Sequence, residues 1–212
     1  MTSLLRYVAL GDSTGVGVGA SNDGGYPERV YRKLKNAGHP AGILNLAQSG
    51  ATTADVLQTQ AAKAASAKPA LITLGIGTND LWRMVPAAVF ETNLQRIADL
   101  LGSSGARVVV STLFDLRRAP IASVIETRLG VPLALIGQRV DVFNRALRGL
   151  QARARFEVID LFDASNQGPH RLGELFSSDG FHPSALGYDR WAELLWPSVE
   201  RAAEQWHLER RG

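Results

Sequence analysis

The sequence predicts an α/β fold: one α/β/α domain in which helices cover both faces of a parallel sheet. Three observations carry that expectation. Short apolar runs rich in strand-forming residues alternate with helix-length amphipathic segments along the chain. No internal repeat, low-complexity segment or linker interrupts the alternation. Finally, 212 residues, 45% hydrophobic and 20% charged, make an ordinary globular composition with enough apolar side chains for one sizeable core.

Taken in order, Arg6-Tyr7-Val8-Ala9-Leu10 is a strand that ends abruptly in Gly11-Asp12-Ser13, with small residues following through Gly17. Tyr26 to Ala37 is a helix with Pro27 in its first turn and Gly38 as its stop. Val30, Leu34 and Ala37 share its apolar face, with Arg29, Arg32, Lys33 and Lys35 elsewhere. After the His39-Pro40 turn, Gly42 to Ala47 is the second strand. It runs into Gln48-Ser49-Gly50-Ala51, and Thr52 or Thr53 caps a helix through about Ala65. Pro69 breaks the chain, and Ala70 to Gly77 is the third strand, followed by Thr78-Asn79-Asp80. A long helix from Pro86 to Leu101 is closed by Gly102-Ser103-Ser104-Gly105. Arg107 to Leu113 is the fourth strand, β-branched enough to sit centrally. Residues 115–131 form a surface excursion. Pro132 to Arg153 is helical, Phe156 to Leu161 is the fifth strand, and residues 163–180 are loop. Ser184 to Gln205 is the last helix, with Leu186, Trp191, Leu194 and Leu195 for its buried face.

Composition closes off several function classes. Without cysteine there is no disulfide framework, thiolate nucleophile or cysteine-ligated zinc. The net charge is only +3 and the basic residues are dispersed, which argues against nucleic acid as a partner. No apolar segment is long enough to span a bilayer. Met1-Thr2-Ser3 leads into the first strand without the cationic and apolar regions of a signal peptide, so a cytoplasmic location is expected.

Four places carry chemistry. Three are the ends of expected strands, at Ser13, Gly50 and Asn79; the fourth is Asp179-Gly180-Phe181-His182-Pro183, just before the last helix. In open parallel sheets ligands bind outside the carboxyl ends of the strands. Acyl transfer there needs a nucleophile, a base, a group that orients the base, and donors for the oxyanion. Ser13 supplies the hydroxyl, His182 the base, and Asp179, three residues earlier, a carboxylate for the other ring nitrogen. The backbone N–H groups of Ser13 and Gly50, with the Asn79 amide, supply three donors. Glycine at position 50 leaves room for the carbonyl to approach. Singly, each feature has an ordinary explanation as a cap or turn residue. The other histidines are weaker candidates. His39 precedes a proline at the opposite end of the sheet, His170 lies in a loop without a spaced carboxylate, and His207 sits in a charged tail. The joint pattern carries the reading.

These blocks resemble the SGNH, or GDSL-type, hydrolase family. Gly11-Asp12-Ser13 with Gly17 matches the first block and makes Ser13 the nucleophile. Gly50 matches the second block, Gly77-x-Asn79-Asp80 the third, and Asp179-x-x-His182 the fifth, in family order from about residue 6 to 190. The resemblance implies a flavodoxin-like sheet of five parallel strands in the order 2-1-3-4-5. It also implies catalysis by Ser13, His182 and Asp179, with an oxyanion hole from Ser13, Gly50 and Asn79. Asp12, Gly77 and Asp80 take supporting places, and neither a metal nor an organic cofactor is required. Thr14 stands where the family signature has leucine, a change expected to affect local packing alone.

Two rivals are weighed against this. Gly15-Val16-Gly17-Val18-Gly19-Ala20 fits the dinucleotide pattern G-x-G-x-x-G/A, but residues 21–25 separate it from the next helix. No acidic residue lies between Lys35 and Ala54, where that motif needs one. A non-catalytic binding module on the same scaffold would lack the nucleophile or the base. The expectation is a serine esterase acting on small-molecule carboxylic esters of short to medium chain through an acyl-enzyme. Deacetylase of acetylated sugars, lysophospholipase and thioesterase are the alternatives. Substrate choice falls to residues 14–26, 81–86, 114–131 and 162–178. The excursion mixes Leu116, Ile121, Val124, Ile125 and Leu129 with Arg117, Arg118 and Arg128. It is expected either to pack as a short helix with solvated arginines or to form an apolar flap over Ser13.

Overall fold

The computed structural model describes residues 4–20, 23–167 and 172–210. Five parallel strands form one sheet: β1 (Leu5–Gly11), β2 (Ala41–Asn45), β3 (Leu71–Gly75), β4 (Arg107–Ser111) and β5 (Phe156–Ile159), in the order β2-β1-β3-β4-β5. The direction of winding reverses between β1 and β3, so the segments following these two strands flank the switch point of the sheet. Tyr7 pairs with Leu71 and Gly11 with Gly75, which brings both strands to their carboxyl ends side by side.

Among the described residues the connections hold α1 (Ser13–Val16), α2 (Tyr26–Asn36), α3 (Thr53–Asp55), α4 (Ala61–Ser66), α5 (Thr78–Trp82), α6 (Ala87–Ser103), α7 (Ile121–Leu129), α8 (Leu133–Gly149), α9 (Leu161–Asn166) and α10 (Ala185–Glu209). Side chains divide with the period of two that a doubly covered sheet requires. Leu5, Tyr7 and Ala9 of β1 join Val30 and Leu34 of α2 and Tyr188, Leu195 and Val199 of α10. Val8 and Leu10 turn the other way, into a larger cluster with Ile72, Leu74, Val108 and Val110 beneath α4, α6 and α8.

Several elements differ from the expectation. A π turn over Val56–Gln60 joins α3 to α4 where a single helix is expected. The 115–131 excursion contains a 3-10 turn, Leu116–Arg118, and then α7. The expected loop after β5 opens with α9, and a second 3-10 turn covers Leu172–Leu175. On α10 the buried stripe runs through Tyr188, Trp191, Ala192, Leu195 and Val199. Leu186 and Leu194 lie off that stripe and are 37% and 38% exposed. In α2, Val30 and Leu34 are buried but Ala37, just past the helix, is exposed.

Arg29, expected on the polar side of α2, is buried. Its guanidinium reaches Asp189 Oδ1 at 2.5 Å, the carbonyls of Asp23, Gly24 and Gly25, and the Ala185 carbonyl at 3.3 Å. One buried cation therefore ties the turn ahead of α2 to the first turn of α10. Tyr188 adds a second tie, its hydroxyl donating to the Val18 carbonyl at 2.7 Å.

Candidate active site

β1 ends at Gly11 and α1 begins at Ser13, with Asp12 between them as the helix cap. Asp12 Oδ1 accepts from the Thr14 backbone N–H at 2.9 Å and from the Thr14 hydroxyl at 2.8 Å. The threonine that replaces the signature leucine thus gives Asp12 a second donor, beyond the packing change expected. Burial pushes the Asp12 carboxyl pKa up, while the Thr14 bonds and nearby His182 act in the opposite direction. At Gly11 (φ 147°) a Cβ would lie 2.3 Å from the Gly75 carbonyl oxygen, so the close approach of β1 and β3 just ahead of Ser13 requires glycine.

Gln60, fully buried, clamps the same residue. Its Nε2 donates to the Gly11 carbonyl and its Oε1 accepts from the Gly11 N–H, both at 2.9 Å. The π turn that ends on Gln60 is of the kind often found beside functional sites. The sequence reading missed Gln60; its one signal is a glutamine in the alanine-rich run of a helix packed on the sheet.

His182 arrives from the loop before α10. Asp179 organises that loop: its Oδ1 accepts from Ser177 Oγ at 2.8 Å, Phe181 N at 2.8 Å and His182 N at 2.9 Å. Asp179 Oδ2 faces His182 Nδ1 at 2.6 Å, and His182 Nε2 lies 3.0 Å from Ser13 Oγ. Burial raises the Asp179 carboxyl pKa, but the bonds from His182, Phe181 and Ser177 outweigh it and hold the group well below the usual carboxylate range. The Phe181 ring stands edge-on to His182, with centroids 4.9 Å apart, and makes a similar contact with Trp82.

The excursion after β4 supports this loop. Ile121 N donates to the Gly180 carbonyl at 3.0 Å, at the start of α7. Leu116, Ala122 and Ile125 are buried in the domain. Arg117 pairs with Asp115 at 2.7 Å, and Arg118 donates to the Ser165 carbonyl at 2.7 Å. Of the two expectations for this segment the packed helix is observed, with Arg117 and Arg118 engaged rather than merely solvated. Among the described side chains of residues 114–131, Phe114 is the one that lines the depression at Ser13.

Asn79, Asp80 and Arg83 hold the second block from α5 and its C-terminal cap. Asn79 Nδ2 donates to the Ala51 carbonyl at 3.0 Å, and Arg83 Nη2 to the Gly50 carbonyl at 2.8 Å. Between them, buried Asp80 accepts from Thr53 N at 2.9 Å and Thr53 Oγ1 at 2.5 Å. Burial pushes the Asp80 carboxyl pKa up, against these two bonds. Gly77 makes the turn into α5 with φ 124°. Gly50 adopts φ 79°, and a Cβ there would come no nearer to protein than Arg83 Nη2 at 3.6 Å. The backbone angle, rather than crowding by protein atoms, is what calls for glycine at position 50.

Ser13, Asn79 and His182 line one narrow depression of about 30 Å³, together with Leu113, Phe114 and Phe181. Asp179 stands behind His182, whereas Gly50 is not among the lining residues and precedes Ala51, whose carbonyl accepts from Asn79. His39 and His207 stack on each other, 5.3 Å between centroids, by the start of β2. His170 lies outside the described residues. The dinucleotide alternative finds no support: Gly15 and Val16 fall in a four-residue helix, and α2 opens only at Tyr26.

The chain is similar to known esterases and lipases. Esterase TesA of Pseudomonas aeruginosa is 25% identical over 195 residues, covering 91% of this chain and 87% of that protein. Spore germination lipase LipC of Bacillus licheniformis is 29% identical over 211 residues, covering 90% and 94%. A crystal structure of TesA superposes with a TM-score of 0.74 at 22% identity, over 93% of this chain and 99% of the other, which is a likeness of fold. The model of the GDSL-like lipase/acylhydrolase family matches residues 9–190, from within β1 to the first turns of α10, and the chain belongs to that family.

Proposed function

We propose that the protein is a serine esterase that hydrolyses small-molecule carboxylic esters through an acyl-enzyme. The observation that carries the reading is the line of contacts from Ser13 Oγ to His182 Nε2, 3.0 Å, and from His182 Nδ1 to Asp179 Oδ2, 2.6 Å. Ser13 Oγ attacks the ester carbonyl carbon while His182 Nε2 takes the hydroxyl proton. Asp179 holds the imidazole with its proton on Nδ1 and stabilises the imidazolium. The oxyanion is met by the Ser13 and Gly50 N–H groups and by the Asn79 amide, which has two hydrogens and gives only one to Ala51. His182 then returns the proton to the departing alcohol, and a water activated by the same imidazole cleaves the acyl-enzyme.

The test is Ser13→Ala with p-nitrophenyl acetate and a fluorophosphonate probe. The native protein is expected to turn over the ester and to take up the probe covalently. The variant should do neither while keeping its melting temperature. Undiminished turnover by purified Ser13→Ala protein would remove Ser13 from the mechanism.

A further inference from the structure

A cavity of about 460 Å³ lies beside the reacting centre, between α9, the first half of α10 and the residues around Phe176. It shares Phe114, Leu161, Pro183 and Trp191 with the depression that holds Ser13, Asn79 and His182. The two differ in capacity. The depression, about 30 Å³, has room for a reacting carbonyl and not for a chain attached to it. The cavity is of the size of small-molecule sites, roughly 300–1,000 Å³.

We propose that this cavity is the acyl-chain site: the carbonyl carbon sits at Ser13 Oγ and an unbranched hydrocarbon chain runs past Phe114 and Trp191 beneath α10. The inference rests on the serine-esterase reading above and adds the class of acid that the enzyme selects.

The state of the polar groups on the lining decides the chemistry. Trp191 Nε1 donates to Ser111 Oγ at 2.8 Å, and Ser165 Oγ to the Phe162 carbonyl at 2.7 Å. Arg118 Nη1 donates to the Ser165 carbonyl at 2.7 Å, and Arg190 pairs with Glu193 at 2.7 Å. Most of the surface that the cavity offers a ligand is apolar, from Phe114, Leu161, Leu175, Phe176, Trp191 and Leu194, with Gln167 and the arginines among the polar lining. An alkyl chain laid on that apolar surface breaks none of these bonds. Leu194 agrees with this. It is 38% exposed beside fully buried Leu195, and it lines the cavity that a chain would fill.

The position also sets which part of the ester is read. Attack forms the bond from Ser13 Oγ to the acyl carbon, and the alcohol leaves with the proton from His182. The chain stays in the cavity until water releases the acid, so acyl length acts on acylation and deacylation, while the alcohol acts on acylation alone.

The experiment measures kcat/KM of the full chain for p-nitrophenyl acetate, butyrate, octanoate and decanoate, beside acetates of alcohols of matching length. In the native protein kcat/KM should rise with acyl length by up to about fourfold per methylene buried. Ala164→Trp fills the cavity from α9. It should lower the octanoate-to-acetate ratio by about tenfold or more, the worth of two buried methylenes, and leave acetate unchanged. Leu194→Glu, at a partly exposed position that tolerates a charge, should act in the same direction. A flat native profile, or an unaltered ratio in both folded variants, overturns the proposal. If Ser13-dependent acetate hydrolysis persists in that case, the esterase reading stands. A preference that follows alcohol length overturns it too and gives the cavity to the leaving group. Absence of Ser13-dependent cleavage of every ester removes both readings.

Discussion

Asp179→Asn separates the two jobs that the structure gives this carboxylate. Oδ1 holds the loop by accepting from Ser177 Oγ, Phe181 N and His182 N, while Oδ2 meets only the imidazole. The amide retains a carbonyl oxygen for the three loop donors but presents an NH₂ group to His182 Nδ1. That group donates, so the imidazole must accept at Nδ1 and carry its hydrogen on Nε2, where it can no longer take the Ser13 proton. Fixing the wrong tautomer in a serine–histidine–aspartate triad costs about 10⁴-fold in kcat. Asp179→Ala would in addition release the three loop donors, at about 1 kcal/mol each, or roughly 3 kcal/mol of local order. The assay pairs steady-state hydrolysis of p-nitrophenyl acetate with thermal unfolding. The asparagine variant should melt close to the native protein and be nearly inactive, whereas the alanine variant should also melt earlier. Activity in Asp179→Asn within about tenfold of native, against the 10⁴ expected, would refute the role of the Oδ2 contact. Equal loss of stability in both variants would refute the division between the two oxygens. The pH dependence follows from the depressed carboxyl pKa. Its contribution to stability is complete above the unfolded value, about 3.9, and is lost as pH falls through the lower folded value. The stability gap between native and Asp179→Ala protein should therefore hold steady near neutrality and narrow on strong acidification.

Asn79→Ala should lower kcat for acetate by roughly 10²–10³, the usual loss for one oxyanion donor. A change confined to KM would show that Asn79 meets the ground-state ester instead. Arg29→Met should lower unfolding free energy by about 3 kcal/mol, because buried carbonyls lose a charged donor. Urea denaturation checks this, and a loss below about 1 kcal/mol would mean that the carbonyls find other partners.

The residues proposed to carry out the chemistry were legible because each lies in a short polar break next to an apolar run. Ser13 follows the first strand, Asn79 the third, and His182 comes directly before the last helix. The groups that position them were not. Gln60 and Arg29 sit in segments whose sequence reads as helix and Arg83 in the loop before the next helix, and their partners at Gly11, Asp189 and Gly50 are fixed only when the layers pack. On α10, apolar residues fall on two neighbouring stripes at helical spacing, so the sequence does not give the phase that buries Leu195 and exposes Leu194. α9 was hidden for another reason. Its six residues are too few to show a period, and Asp160, which caps it by accepting from Asp163 N at 3.0 Å, reads equally well as a turn aspartate. The excursion gave the right kind of element but not its purpose, since the bond from Ile121 to Gly180 has no signature along the chain.

The seam between the early and late parts of the chain has a consequence for biosynthesis. The hydroxyl and the imidazole that meet at 3.0 Å are 169 positions apart, and the ties from Arg29 to Asp189 and from Tyr188 to Val18 span the same interval. A chain emerging from the ribosome exposes its serine long before its histidine exists. Until then Ser13 is an ordinary alcohol, as unreactive as any other surface serine at neutral pH. In the mechanism proposed for Ser13 and His182, hydrolytic power arrives only when the first turns of α10 dock onto α2. The order of translation thereby acts as a safety catch: prematurely terminated products carry the nucleophile without the means to fire it.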